Sequence, residues 1–117
     1  MYRMIVLIFT SLLGMTSACS QPHGRFCTDI MGNSLTVSIS RNVANISANI
    51  FGSPLSCNNE TFTFKNNHMY LSTDPNDCLN QHLSSLSACP CPPHITYDGN
   101  ALQISDTPIG VIALKKC

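Results

Sequence analysis

Six cysteines, Cys27, Cys57, Cys78, Cys89, Cys91 and Cys117, lie between residues 21 and 117 of this chain. An even number of thiols in a short exported chain reads as a disulfide framework. Export is what the first residues announce. Arg3 supplies a positive start, and Met4 to Met15 is an apolar run too short to span a bilayer. Thr16 to Ser20 is a small-residue cleavage region. Residues 1–20 therefore read as a secretory signal peptide and residues 21–117 as a single disulfide-rich β domain. Cutting after Ser20 puts Ala18 at −3 and leaves six cysteines. Cutting after Ala18 would retain Cys19 as a seventh. We read the site as Ser20, which keeps the parity even.

Charge narrows the partners. Past residue 20, Arg25, Arg41, Lys65, Lys115 and Lys116 face Asp29, Glu60, Asp74, Asp77, Asp98 and Asp106. No basic stripe runs through the sequence, so no nucleic-acid footprint is expected. No second apolar run follows residue 20, and the last residues lack a glycolipid-anchor tail. The expected product is secreted and extracellular.

Three stretches alternate with the period of a half-buried strand pair. Leu35, Val37 and Ile39 share one face of the first, and Ala44, Ile46, Ala48 and Ile50 share the facing segment. A turn at Arg41-Asn42 sets Ile39 opposite Ala44, Val37 opposite Ile46 and Leu35 opposite Ala48. A second hairpin turns at Asn66-Asn67 and sets Phe64 against Met69 and Phe62 against Leu71. A third, His94 to Ser105, turns at Asp98-Gly99 and places Ile95 opposite Leu102. Tyr97 and Ile104 are expected on the same face. Gln21 to Thr28 reads as a polar lead-in and Phe51 to Asn58 as a loop. Ile109 to Leu114 is apolar on both faces and reads as a doubly covered strand.

The one helical signal is Asp74 to Leu86. Asp74 suits the N-cap, Pro75 the first helical position, and Leu79, Leu83 and Leu86 form an apolar stripe. Pro90 ends it, and Cys89 to His94 is expected to be extended. The fold class is thus mostly β (α+β): a small disulfide-stapled antiparallel β-sandwich or prism of about seven short strands, with one helix near 75–87. Its core is thin and lacks tryptophan, so the disulfides are needed for stability. Cys27 and Cys57 flank the first hairpin and are expected to pair. Cys78 and Cys117 are expected to tie the helix to the last strand. Cys89–Cys91 would close the smallest ring and constrain least.

Candidate sites are few. Asn45-Ile46-Ser47 and Asn59-Glu60-Thr61 match the glycosylation acceptor pattern, so Asn45 and Asn59 are expected to carry glycans in a eukaryotic host. Cys89-Pro90-Cys91-Pro92-Pro93-His94 has compact metal-ligand spacing but no second ligand pair, and oxidised thiols are the default here. No metal or cofactor is expected. The histidines have no carboxylate at a motif spacing. Asp74 and Asp77 already serve the helix start, and Asp98 and Asp106 the turns. No catalytic set can therefore be assigned. The expected function is non-enzymatic: a secreted or cell-surface-associated glycoprotein that binds an extracellular protein or glycan. Two alternatives are an inhibitor or defence-type effector acting through the 89–94 proline loop, and a small secreted hydrolase.

Overall fold

The computed structural model describes residues 21–117. The expected signal peptide, with Cys19 inside it, lies outside the described residues. Eight antiparallel strands follow one another around a closed barrel: β1 (Gly24–Ile30), β2 (Asn33–Ser40), β3 (Val43–Ile50), β4 (Ser53–Lys65), β5 (His68–Leu71), β6 (His94–Tyr97), β7 (Ala101–Thr107) and β8 (Gly110–Lys116). One helix, α1 (Cys78–Ser85), stands between β5 and β6. The chain is mostly β with one short helix, as expected. The sandwich or prism is replaced by one sheet that closes on itself, because β8 pairs back to β1.

Alternation explains why the sheet can close. Val37, Ile39, Ala44, Ile46, Leu55, Phe62, Met69, Leu102 and Leu114 point inward into one core cluster. Outward positions such as Ser38, Asn45 and Ser47 are polar, the reverse of the outward apolar band of a lipid-embedded barrel. Among the described residues no helix is long and apolar enough to cross a membrane.

The first two hairpins form in the expected registers. Ile39 faces Ala44, Val37 faces Ile46 and Leu35 faces Ala48; Phe62 faces Leu71 and Phe64 faces Met69. In the third, Ile95 faces Ile104 and Tyr97 faces Leu102, not Ile95 against Leu102. The Asp98 carboxylate accepts the N–H groups of Asn100 and Ala101, which moves the turn one residue along to Gly99-Asn100. A two-residue slip keeps every side chain on its face, so the core is unchanged.

Two stretches read as irregular are strands. Phe26, fully buried, anchors β1 inside the expected lead-in. Ser53 to Asn58 is the first half of β4, where Leu55 and Cys57 point inward. Pro54 is tolerated near the strand start, where it is exposed. Conversely, β8 is not doubly covered: Leu114 is buried, but Val111 is 65% exposed.

The helix begins later than its sequence signals. Asp77 is the N-cap, accepting from the Leu79 N–H, and α1 runs only from Cys78 to Ser85. Asp74 instead closes a preceding turn, accepting from the Asn76 N–H through its side chain and from the Asp77 N–H through its carbonyl. Buried Asn80 holds that turn by donating to the carbonyls of Ser72 and Asp74.

The disulfides pair differently from expectation. Cys27 bonds Cys117 and Cys57 bonds Cys78, while Cys89 bonds Cys91 as anticipated. Barrel closure is the reason. The β1–β8 seam has only two paired positions, Phe26 with Lys116 and Cys27 with Lys115, which brings Cys117 beside Cys27. The β5–β6 seam is equally short, and α1 fills the wall next to it against β4. Cys57–Cys78 fastens that filling to the sheet.

Candidate functional site

The two ends of the barrel differ. At one end lie the β2–β3, β4–β5 and β6–β7 turns, and this end is plugged. Phe26 and Tyr97 meet edge to face at 5.9 Å, and Phe64 packs against Tyr97 at 6.2 Å. The Tyr97 hydroxyl donates to the Gly99 carbonyl, and the Lys116 ammonium sits 5.7 Å above the Phe26 ring. Leu102 and Leu114 are fully buried.

At the other end lie the β1–β2, β3–β4 and β7–β8 turns, together with α1 and the proline loop. This end is open. A cavity of about 120 Å³ lies in it, lined almost wholly by apolar atoms. Val37, Ile46, Ala48 and Leu55 form its strand wall, and Leu79 and Leu83 reach it from α1. The helix places these two leucines inward because they are one turn apart on its buried side. Thr28, Asn33, Ser105 and Thr107 supply the polar edge.

The 89–94 loop lies at this mouth. Pro90 and Pro93 line the cavity, and the Cys89–Cys91 bond bridges the first of them. His94 is turned away, with Nδ1 3.1 Å from Asp106 Oδ2, and both groups are exposed.

The acceptor asparagines Asn45 and Asn59 sit together on the outer wall, both exposed, with the Asn59 N–H donating to Asn45 Oδ1 at 2.8 Å. The compact Cys89, Cys91, His94 spacing is not what the fold gathers. Among the described residues the three side chains whose ligand-type atoms all come within 4.8 Å of one another are Cys57, Cys78 and His82, and the two sulfurs are bonded to each other. A disulfide has no thiolate to offer a metal.

One ionisable group escaped the sequence reading. Glu60 is only 4% exposed. Burial, then a hydrogen bond and charge repulsion from Asp77, push its carboxyl up to about 7. A bulge causes the burial. Between the Ala44–Glu60 and Ile46–Cys57 pairs β4 carries an extra residue, and Asn59 takes a φ of 61°. The bulge flips the parity that would have sent Glu60 outward. No local sequence signal marks it, since asparagine tolerates that conformation anywhere in a loop. The other carboxylates stay apart. Asp98 is held below the usual range by the backbone N–H groups of Ala101 and Asn100, and Asp106 faces His94. No family model, curated protein or solved structure matches this chain.

Proposed function

We propose that this chain is an exported, non-enzymatic binding domain that takes a small apolar ligand, or one hydrocarbon chain of a larger one, into the open end of its barrel. The carrying observation is the apolar cavity among Val37, Ala48, Leu79 and Leu83. An eight-stranded barrel has room for side chains or for one small ligand. Here side chains fill one end and leave the other empty. A cavity of this size and apolar lining accepts a benzene-sized apolar group. Export is supported by the pairing of all six cysteines beyond residue 20.

The 89–94 loop enters this reading as part of the wall. Its prolines are rigid, so the mouth keeps its shape without a ligand. A reactive inhibitory segment would need those side chains turned outward, and two of them face the cavity. Asn45 and Asn59 would carry glycans on the side wall. Tyr70, exposed and stacked on His68, is the outer-wall aromatic on which a sugar partner would rest.

The test is titration with the neutral fluorescent probe N-phenyl-1-naphthylamine. The wild-type chain should give a saturable rise in emission. Ala48→Leu and Ala48→Phe should weaken it in that order as added atoms fill the cavity, with circular dichroism unchanged. Absence of saturable binding by the wild-type chain overturns the proposal.

A further inference from the structure

The two sets of hairpin turns have opposite polarity. At the plugged end the tips are Arg41-Asn42, Asn66-Asn67 and Gly99-Asn100. At the open end they are Met31-Gly32, Phe51-Gly52 and Pro108-Ile109. Met31 and Phe51 take φ values of 54° and 53°, and the glycines after them 80° each. That geometry belongs to tight hairpin turns whose first position favours asparagine, aspartate or glycine. At the plugged end Asn66, at φ 54°, obeys this preference and Arg41, at φ 58°, does not, but Arg41 is charged and solvent-facing. A methionine and a phenylalanine there are strained by their Cβ atoms, and neither is buried: Met31 stands in the open and Phe51 only lines the cavity. Met31 is 85% exposed, Phe51 65% and Ile109 39%. With Val111 they make four of the five most exposed large apolar side chains of the described residues, all at the open end.

Charge is divided the same way. Arg25, Arg41, Lys65, Lys115 and Lys116 all fall on strand ends or turns of the plugged end. Among the described residues the open rim carries no lysine or arginine. Its nearest charges are Asp29 on β1 and Asp106, the latter beside His94.

We infer that the open end docks on a zwitterionic lipid bilayer, with Met31, Phe51 and Ile109 inserted among the acyl chains. The inference rests on the open end being the binding end, and it adds the source of the ligand: a hydrocarbon chain passes from the bilayer into the cavity without crossing water. Charge selects the occupant. An anionic surface is repelled by Asp29 and Asp106, while a phosphocholine headgroup presents its quaternary ammonium outermost and meets them favourably. A second copy is disfavoured for the same reason, since two open ends face to face would oppose these aspartates. The cationic plugged end is left in water.

The test is flotation of the full-length processed protein with phosphatidylcholine vesicles, against vesicles containing phosphatidylserine. The variant pair is Met31→Asn with Phe51→Asp; asparagine at 51 would create an acceptor site with Gly52-Ser53. Both substitutions suit the turn, so thermal stability should be unchanged or higher. Binding to phosphatidylcholine should fall at least roughly tenfold through loss of the two inserted side chains. Probe binding should persist in Met31→Asn alone, because Met31 does not line the cavity whereas Phe51 does. Equal vesicle binding by wild type and variant, or no binding by either, overturns the docking and leaves the cavity reading standing. Preference for the phosphatidylserine vesicles overturns it in favour of the cationic end. Loss of probe binding with docking intact would sink the cavity reading alone.

Discussion

Glu60 and Asp77 share one proton between a strand and the helix cap. Protonated Glu60 donates to the carboxylate that also caps α1 through the Leu79 N–H. In the unfolded chain Glu60 returns to its ordinary value of 4.5, against about 7 in the barrel. Between those values the folded state binds more protons, so its stability falls as pH rises. The stabilisation is fully present below 4.5 and is gone above about 7. The loss across that window is on the order of 3 kcal/mol. Urea midpoints measured from pH 5 to 8 should show the decline. Glu60→Gln keeps a donor without the charge, and its midpoint should stay flat at the wild-type low-pH level. A wild-type midpoint that rises with pH would refute the shared proton.

At the scale of elements, register and seam strength matter most. Ile46 is buried opposite Val37, whereas Ser38 points outward. Ile46→Asp places an unpaired charge in the core and should abolish accumulation of folded protein. Ser38→Asp should accumulate normally, and equal yields in a secretion assay would contradict the inward and outward assignment. The disulfides differ by the loop they close. Cys57–Cys78, 21 residues apart, constrains the unfolded chain by about 3.4 kcal/mol in the loop-entropy picture. Cys89–Cys91, two residues apart, is worth about 1.6 kcal/mol in the same picture. Cys89→Ser with Cys91→Ser should therefore fold, with a small shift in urea midpoint, while Cys57→Ser with Cys78→Ser should release α1 and open the cavity wall. The second variant should lose probe binding even at temperatures where its far-ultraviolet circular dichroism is native.

Across the whole molecule, closure depends on the β1–β8 seam, one of the two short ones. Two paired positions and the Cys117 N–H donating to the Arg25 carbonyl join β8 to β1. Cys27–Cys117, 90 residues apart, adds about 4.6 kcal/mol through the unfolded state, the largest of the three bonds. That is a large share of the stability of a small domain. Cys27→Ser with Cys117→Ser should give the largest drop in urea midpoint of the three double variants. A smaller drop than for Cys57→Ser with Cys78→Ser would mean that the seam holds without its staple.

What the residues alone determine is local. Leu35-Val37-Ile39 against Ala44-Ile46-Ala48 was legible because alternation and a two-residue turn leave only one register with apolar opposite apolar. Asn66-Asn67 was legible because asparagine accepts positive φ. The mostly-β class and the disulfide framework follow from the same short-range facts. The tertiary structure decided everything that depends on distant parts of the chain meeting. Closure of β8 onto β1 chose Cys117 as partner of Cys27, which neither hairpin could announce. The bulge at Asn59 turned Glu60 inward, and the Asp77 cap outcompeted Asp74 because Asn80 holds the preceding turn. The apolar mouth belongs to no segment: Val37, Leu55, Leu83 and Pro93 are ordinary core or loop residues until the barrel gathers them. Short-range patterning sets each strand's faces, but a cavity is what packing leaves unfilled, and only the closed sheet defines it.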